Sequence, residues 1–154
     1  MPSIKKRVDE LLSEMNLDEK IAQLGSCWMY ELQSNGKIDE GKIAERFNHG
    51  IGQITRVAGA STLDAVSAAK TANVLQKYLL ENTRLGIPAI VHEECCSGAM
   101  VLGGTMYPQM IGLASTFRPA LAKAMTSEIR KQLLAIGARQ ALAPVLDIAR
   151  DIRW

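Results

Sequence analysis

The run VHEECCSG, residues 91–98, is the densest group of side chains that could do chemistry. An apolar stretch leads directly into one imidazole, two carboxylates and two thiols, namely His92, Glu93, Glu94, Cys95 and Cys96. These residue types could form a metal site, a pair of catalytic acids, a redox pair or the polar end of a strand. The sequence around them has to decide between these four possibilities.

A catalytic acid pair, a metal site and a redox pair all fit the spacing of residues 92–96 poorly. Successive side chains of a strand point to opposite faces, so Glu93 and Glu94 diverge. They cannot both flank one bond as the carboxylates of a retaining glycosidase, which lie ~5 to 5.5 Å apart. The sequence has no HExxH and no CxxC, so metal binding and dithiol redox chemistry are poorly supported. The residues alone therefore favour a polar strand end that bonds to neighbouring loops.

Other motifs give no stronger signal. Residues 103–108, GGTMYP, are glycine-rich but lack the GxxxxGK[ST] and GxGxxG patterns of phosphate-binding loops. Ser97 lies in CSG and not in GxSxG, and His49 is the only other histidine, so a serine triad is not indicated. Trp28 and Tyr30 could form a platform for a sugar ring, but core packing or the anchoring of a loop is the favoured role for each.

The elements that would position the cluster alternate along the chain. Ser3 is predicted to cap a first helix, and Asn16 followed by Glu19 predicts a capping box at the start of a second. Residues 26–39 show no regular pattern and are predicted to be irregular. Three apolar stretches then indicate buried strands, GIGQITRV, PAIVHE and ALAPVLDIA, and helices over residues 62–82 and 119–136 separate them.

Strands separated by helices of this length predict βα units and a parallel sheet, either doubly wound or a (β/α)8 barrel. In both architectures, chemistry gathers at the carboxyl ends of the strands. The cluster at residues 92–96 lies at one such end, and residues Asp147 to Arg150 lie at another. For the adjacent Asp151 and Arg153 we predict a salt bridge.

Composition excludes several classes of protein. The chain has 154 residues with 47% hydrophobic and 22% charged residues and a net charge of +2, which is ordinary for one globular domain. Basic residues are spread along the chain, so we expect no nucleic-acid partner. We expect no membrane span and no signal peptide. Three cysteines are not a disulfide framework and favour a cytoplasmic location.

Four stretches together resemble the N-terminal domain of glycoside hydrolase family 3, the β-glucosidases and β-xylosidases. They are MNLDEKIAQL, LGIPAIVHEECCSG, TMYPQMIGLASTF and LAPVLDIARDIRW, in order and with similar spacing. The resemblance implies a (β/α)8-type barrel and cleavage of terminal β-linked sugars with retention, without metal or other cofactor. Residues 1–154 would then be an N-terminal portion of that domain, with about three βα units, because a whole barrel needs ~250 residues.

The resemblance also assigns roles to the cluster. It implies that Glu94 is the acidic residue that holds sugar hydroxyls, while His92 and Glu93 position the strand end. Asp147 and Arg150 would brace the rim, and the two adjacent thiols would pack. In family members acting on glucose an aspartate commonly stands at the position of Glu94, so the resemblance also implies a bias toward pentoses such as xylose.

The family's nucleophile and its acid/base residue have no counterpart in this sequence, and Ile152 stands where a proline is usual. We therefore expect the parent polypeptide to be a glycosidase and this chain alone to be inactive. An alternative is a non-catalytic fragment that self-associates, or one that another chain completes. Three βα units leave a sheet with open edges and exposed apolar faces, which favours self-association.

Overall fold

The computed structural model describes residues 2–153, and a parallel β-sheet forms its centre. The strands are β1 (Ser26–Trp28), β2 (Gln33–Ser34), β3 (Lys37–Ile38), β4 (Gln53–Thr55), β5 (Ile90–Glu94) and β6 (Gln140–Leu142). Four of them pair in the order β1-β4-β5-β6, all parallel, and β2 and β3 form a separate antiparallel pair. Trp154, the last residue of the LAPVLDIARDIRW stretch, lies outside the described residues.

Helices connect the parallel strands. Their bounds are α1 (Ile4–Glu14), α2 (Leu17–Leu24), α3 (Glu40–Arg46), α4 (Ala65–Asn82), α5 (Met110–Ala114) and α6 (Pro119–Ala135), with a 3₁₀ turn at Met29–Leu32. The long helices α4 and α6 are the crossovers that precede β5 and β6. Within residues 2–153, no helix combines the length and the apolar character that a membrane crossing requires.

Local sequence signals start these helices as predicted. The Ser3 side chain accepts a hydrogen bond from the Lys6 amide at the start of α1. Asn16 and Glu19 form the predicted capping box, each side chain accepting from the other residue's amide at 2.9 Å. The cap of α4 is Asp64, so this helix begins three residues later than the sequence pattern indicated.

The two faces of the sheet differ in burial. Alternation along the strands places Cys27, Ile54 and Val91 on one face, where all three are at most 1% exposed. They belong to one apolar core with the inner residues of the helices, including Leu75 and Leu79 of α4. The other face, called the open face below, is only partly covered: Trp28 and Ile90 on it are 40% and 45% exposed, whereas Thr55 and His92 are 6% and 8% exposed.

Two strand predictions differ from the structure. Residues 26–39 were predicted to be irregular, but Ser26–Trp28 form β1 at one edge of the sheet, and the short strands β2 and β3 pair within the rest of this range. The predicted strand ALAPVLDIA pairs only over Gln140–Leu142 and ends before Pro144, which has no N–H to donate to a ladder. Asp147 to Arg150 therefore come several residues after the end of β6 and do not form its carboxyl end.

An ion pair joins the N-terminal helices to the loop before β5. The Arg84 guanidinium donates to both Glu19 carboxylate oxygens, at 2.8 and 2.5 Å, and to the Glu14 carbonyl at 2.7 Å. These bonds hold the pKa of Glu19 at about 2, because they stabilise the ionised carboxylate. Arg84 thus holds the junction between α1 and α2 against the loop before β5, although Glu14 and Glu19 lie 70 and 65 residues before it in the sequence.

Candidate functional site

An in-register row of side chains crosses the open face near the carboxyl ends of the strands. Trp28 pairs with Thr55, Thr55 with His92, and His92 with Gln140. Glu94 lies on the same face of β5, two residues beyond His92, in register with Leu142. The polar cluster predicted from the sequence thus stands at the carboxyl end of a central strand, with neighbours on both sides.

His92 is held by a neighbouring strand. The residue is 8% exposed, and its Nε2 lies 2.8 Å from the Thr55 hydroxyl oxygen. The other ring nitrogen, Nδ1, is buried and has no hydrogen-bond partner among residues 2–153. Burial lowers the pKa of His92, and the nearby positive charge of Arg56 acts in the same direction, while the charge of Glu94 opposes them.

Glu93 points to the opposite face and is completely buried. Its carboxylate accepts hydrogen bonds from the backbone amides of Ala58 at 2.7 Å and Gly59 at 3.1 Å, in the loop between β4 and α4. Burial raises the pKa of Glu93, although both amide bonds and the guanidinium of Arg56, with Nε 4.0 Å from Oε2, favour the ionised form. Glu93 therefore holds a loop and is not available to a ligand.

Close packing around Glu93 requires a glycine in this loop. A Cβ on Gly59 would lie 2.8 Å from the Glu93 carboxylate, from the Arg56 guanidinium and from the Met100 carbonyl. Arg56 itself adopts a positive φ of 55°, which a non-glycine residue rarely does. The loop that follows β4 is thus shaped around the buried carboxylate.

Glu94 is the carboxylate of the cluster that remains accessible. Its side chain is half-buried on the open face, and its backbone carbonyl accepts from the Met100 amide at 3.1 Å. The side-chain bonds of this strand end belong to His92, Glu93 and Cys96. A carboxylate placed in this way can accept hydrogen bonds from a ligand.

The adjacent thiols pack against the fold. Cys95 is buried, and burial raises the pKa of its thiol. The Cys96 thiol donates to the Leu142 carbonyl at 3.6 Å, across to β6. Cys27, Cys95 and Cys96 are all free. Within the described part of the chain, no group of three or more His, Cys, Asp or Glu residues is arranged to hold a metal ion.

The remaining predicted residues lie outside the cluster. Asp147 and Arg150 are exposed in the segment after β6, so their predicted role in bracing the rim stays a prediction. Asp151 and Arg153 form the predicted salt bridge, at 2.8 Å. Trp28 stacks on Tyr30 with ring centroids 5.6 Å apart, and both rings are partly exposed.

Sequence reasoning missed the partners of the cluster. Thr55 and Arg56 come from the end of GQITRV, and Ala58 and Gly59 from the loop after it. The signal that could have found them is the polar pair at the end of an otherwise apolar strand. Two neighbouring parallel strands end at the same edge of a sheet, so their terminal polar residues meet.

The architecture and the site together define a class of protein. Four parallel strands with α-helical crossovers, carrying polar side chains at their carboxyl ends, form part of a (β/α)8-type domain. The family model for the glycosyl hydrolase family 3 N terminal domain matches residues 16–154, and the chain belongs to this family.

Relatives and a solved structure agree with this assignment. A candidate beta-xylosidase of Formosa agariphila is 33% identical over 99% of this chain and 20% of its own length. Beta-glucosidase C of Emericella nidulans is 31% identical over 98% of this chain and 25% of its own length. The solved structure of a beta-glucosidase from Erythrobacter marinus superposes with a TM-score of 0.82 at 29% identity, over 96% of this chain and 19% of that one. The chain thus spans a fifth to a quarter of the length of these proteins.

Proposed function

We propose that this chain supplies the sugar-holding strand end of a retaining exo-β-glycosidase that removes terminal β-linked glucose or xylose. The observation that carries the proposal is the contrast between the two adjacent carboxylates. Glu93 is fully buried and bonded to two backbone amides, whereas Glu94 is accessible on the open face of the sheet. Support also comes from relatives that are named beta-glucosidase and beta-xylosidase.

Glu94 suits the recognition of sugar hydroxyls. An ionised carboxylate can accept two hydroxyl hydrogen bonds, and charge-assisted bonds of this kind are roughly twice as strong as neutral ones. Retention with a covalent intermediate requires two carboxyl groups on either side of one glycosidic bond. Glu93 and Glu94 point to opposite faces, so together they do not form such a pair. In this proposal the chain binds sugar and does not by itself hydrolyse it.

The length of the Glu94 side chain would favour one sugar over another. Glutamate reaches one methylene further than aspartate, so the Glu94 carboxylate would intrude where a hexose carries its C6 hydroxymethyl group. Xylose lacks that group and leaves room. One such group is worth about 1 to 3 kcal/mol of discrimination, so we propose a bias toward pentoses and not strict exclusion of glucose.

Glu94 variants test the proposal in a complete family 3 enzyme that contains this sequence. We expect Glu94→Gln to lower kcat/KM for aryl β-xyloside roughly 10²-fold, because charged hydrogen bonds contribute about 1.5 to 3 kcal/mol each. Glu94→Asp should lower the ratio of xyloside to glucoside kcat/KM about 10-fold. Steady-state kinetics with matched p-nitrophenyl xyloside and glucoside measure both effects.

The exposed α6 residue Glu128 provides the matched control, because Glu128→Gln removes a carboxylate that is paired with Lys131 outside the cluster and should leave kcat/KM unchanged. The isolated 154-residue chain should show no turnover of either substrate. Turnover by the isolated chain that disappears in Glu94→Gln would contradict the proposal, as would unchanged kinetics of the complete enzyme with that variant.

Exposed apolar surface favours a second candidate for the isolated chain, self-association with a second copy. The sheet ends in β1 and β6, and each leaves one edge without a partner strand among the described residues. The open face also presents Trp28 and Ile90 to solvent. Four parallel strands are half of the eight that close a barrel, so two copies could cover both edges of each other.

Light scattering with size-exclusion chromatography tests this candidate. We expect a dimer or larger species at micromolar concentration, and a shift toward monomer in Ile90→Lys, because a charge on the open face resists burial. Val66→Lys on the outer surface of α4, where Val66 is 64% exposed, is the control and should leave the mass unchanged. A monodisperse monomer that unfolds cooperatively would rule out self-association.

A further inference from the structure

Trp28 is a large aromatic side chain that the apolar core does not cover. It is the last residue of β1 and is 40% exposed, although the residues on either side of it, Cys27 and Met29, are 1% and 0% exposed. Core packing, a role that the sequence favoured, therefore does not describe Trp28. An exposed indole at the carboxyl end of a strand requires an explanation, because tryptophan normally buries most of its large apolar surface.

The indole is nevertheless held in place. It stacks on the ring of Tyr30, with centroids 5.6 Å apart and planes inclined by 20°, and within residues 2–153 no second aromatic ring stacks on its other face. The Trp28 amide donates to one Glu31 carboxylate oxygen at 2.8 Å, and the other oxygen accepts from the Arg46 guanidinium of α3 at 2.9 Å. Trp28 is thus anchored through both its ring and its backbone.

Trp28 shares the open face of the sheet with Glu94. It is in register with Thr55, and Thr55 with His92, so Trp28 and Glu94 are two strands apart and offset by two residues. Ordinary strand geometry makes this about 10 Å across the sheet and about 6.6 Å along it. Between them, Thr55 and His92 are 6% and 8% exposed and bonded to each other, so they form a closed floor. The accessible side chains on the two sides of this floor are an aromatic ring and a carboxylate.

A pyranose ring offers the two kinds of contact that these side chains can make. In the chair form of β-linked xylose or glucose the hydroxyls are equatorial, so the edge of the ring is polar and its faces carry axial C–H bonds. The negative face of an aromatic ring attracts C–H groups, and a carboxylate accepts from hydroxyls. We propose that Trp28, backed by Tyr30, is the stacking platform for the sugar ring whose hydroxyls Glu94 holds. This inference rests on the proposed function.

Substitutions that separate an aromatic face from apolar bulk test the platform in a complete family 3 enzyme that contains this sequence. Trp28→Phe keeps an aromatic face, whereas Trp28→Leu keeps only apolar volume. The probe is D-xylose, whose inhibition constant against aryl β-xyloside hydrolysis reports sugar binding without the chemical step. We expect Trp28→Leu to raise this constant about 5- to 10-fold and Trp28→Phe no more than about 3-fold, because an aromatic contact contributes about 2- to 10-fold in affinity.

Tyr78→Leu is the matched control, because it also replaces an aromatic ring with leucine. Tyr78 belongs to α4 and packs against the apolar core on the covered face of the sheet, with its ring centroid 6.0 Å from that of Phe47. Its loss should lower stability and leave the D-xylose inhibition constant unchanged. Equal increases in Trp28→Leu and Trp28→Phe, or no increase in Trp28→Leu, overturn the platform.

The 154-residue chain allows a second measurement in which Trp28 itself is not substituted. Its two tryptophans are Trp28 and Trp154, so Trp154→Phe makes Trp28 the only source of indole fluorescence. We expect D-xylose to change this emission saturably and xylitol, which has the hydroxyls but no ring face, to change it much less. An emission that D-xylose leaves unchanged, or that both compounds change alike, counts against the platform.

Glu94→Gln distinguishes failure of this inference from failure of the proposed function. If Glu94→Gln raises the D-xylose inhibition constant and Trp28→Leu does not, the proposed function stands and the platform is wrong. If neither variant raises it, both proposals are wrong. If Trp28→Leu changes only the mass of the isolated chain in light scattering, the indole contacts a second copy and not a sugar, which also overturns the inference.

Discussion

We expect Glu93→Ala to lower the free energy of unfolding by about 3 to 5 kcal/mol. The substitution removes a fully buried carboxylate and leaves the amides of Ala58 and Gly59 without acceptors. Each unsatisfied buried amide costs about 1 to 3 kcal/mol, and the Arg56 guanidinium loses its opposite charge as well. Urea unfolding followed by circular dichroism measures the loss.

Glu93→Gln is the matched variant, because it has nearly the same shape and keeps one carbonyl oxygen as acceptor. It should cost less than the alanine variant at neutral pH. Burial raises the pKa of Glu93, so its contribution to stability is complete below the unfolded pKa and declines as pH rises through the folded pKa. The difference in the free energy of unfolding between the original chain and Glu93→Gln should therefore become smaller as pH rises through the folded pKa of Glu93. A Glu93→Ala effect below about 1 kcal/mol would contradict the structural role.

We expect Gly52→Ala to cost at least about 3 kcal/mol, because the new methyl group meets backbone that cannot rotate away. A Cβ on Gly52 would lie 2.0 Å from the Gln23 carbonyl oxygen and 3.2 Å from that of Gly25. The Gly52 amide also donates to the Ala22 carbonyl at 3.1 Å, so the end of α2 is bonded to the segment that enters β4. The midpoint of urea unfolding measures this effect.

Gly112→Ala is the control for the glycine substitution. Gly112 lies inside the short helix α5, and the nearest atom to its added Cβ is 3.8 Å away, which is ordinary contact. Alanine is favoured over glycine in a helix by about 0.5 to 1 kcal/mol, so this variant should be neutral or slightly more stable. Equal destabilisation by both substitutions would show that the close approach at Gly52 does not determine the effect.

Local pattern was sufficient for the central part of the fold. The strands β4 and β5 fall on the predicted strands GIGQITRV and PAIVHE, and α1, α2 and α6 begin at the predicted capping residues or proline. The edge strand β1 escaped prediction because it has three residues and only Cys27 among them is buried. Its strand conformation depends on pairing with β4, which lies more than twenty residues later in the sequence.

The site was predictable in type but not in arrangement. Alternation along a strand correctly separated Glu93 from Glu94, but it could not tell which of the two is buried. That distinction comes from the amides of Ala58 and Gly59, which lie 35 and 34 residues away in the chain. The partner of His92 is likewise 37 residues away. Contacts at such separations are set by the packing of neighbouring strands and leave no periodic signal in the sequence.

The bonds of Arg84 to Glu14 and Glu19 bear on how the fold opens. They connect segments 65 to 70 residues apart, and the Glu19 carboxylate also caps α2 through the Asn16 amide. If the first turn of α2 unfolds, Glu19 loses its bond to the Asn16 amide and its ion pair with Arg84 together. Amide protons of both segments should exchange with solvent at matching rates, as one cooperative unit, and not as a loose terminus beside a stable sheet.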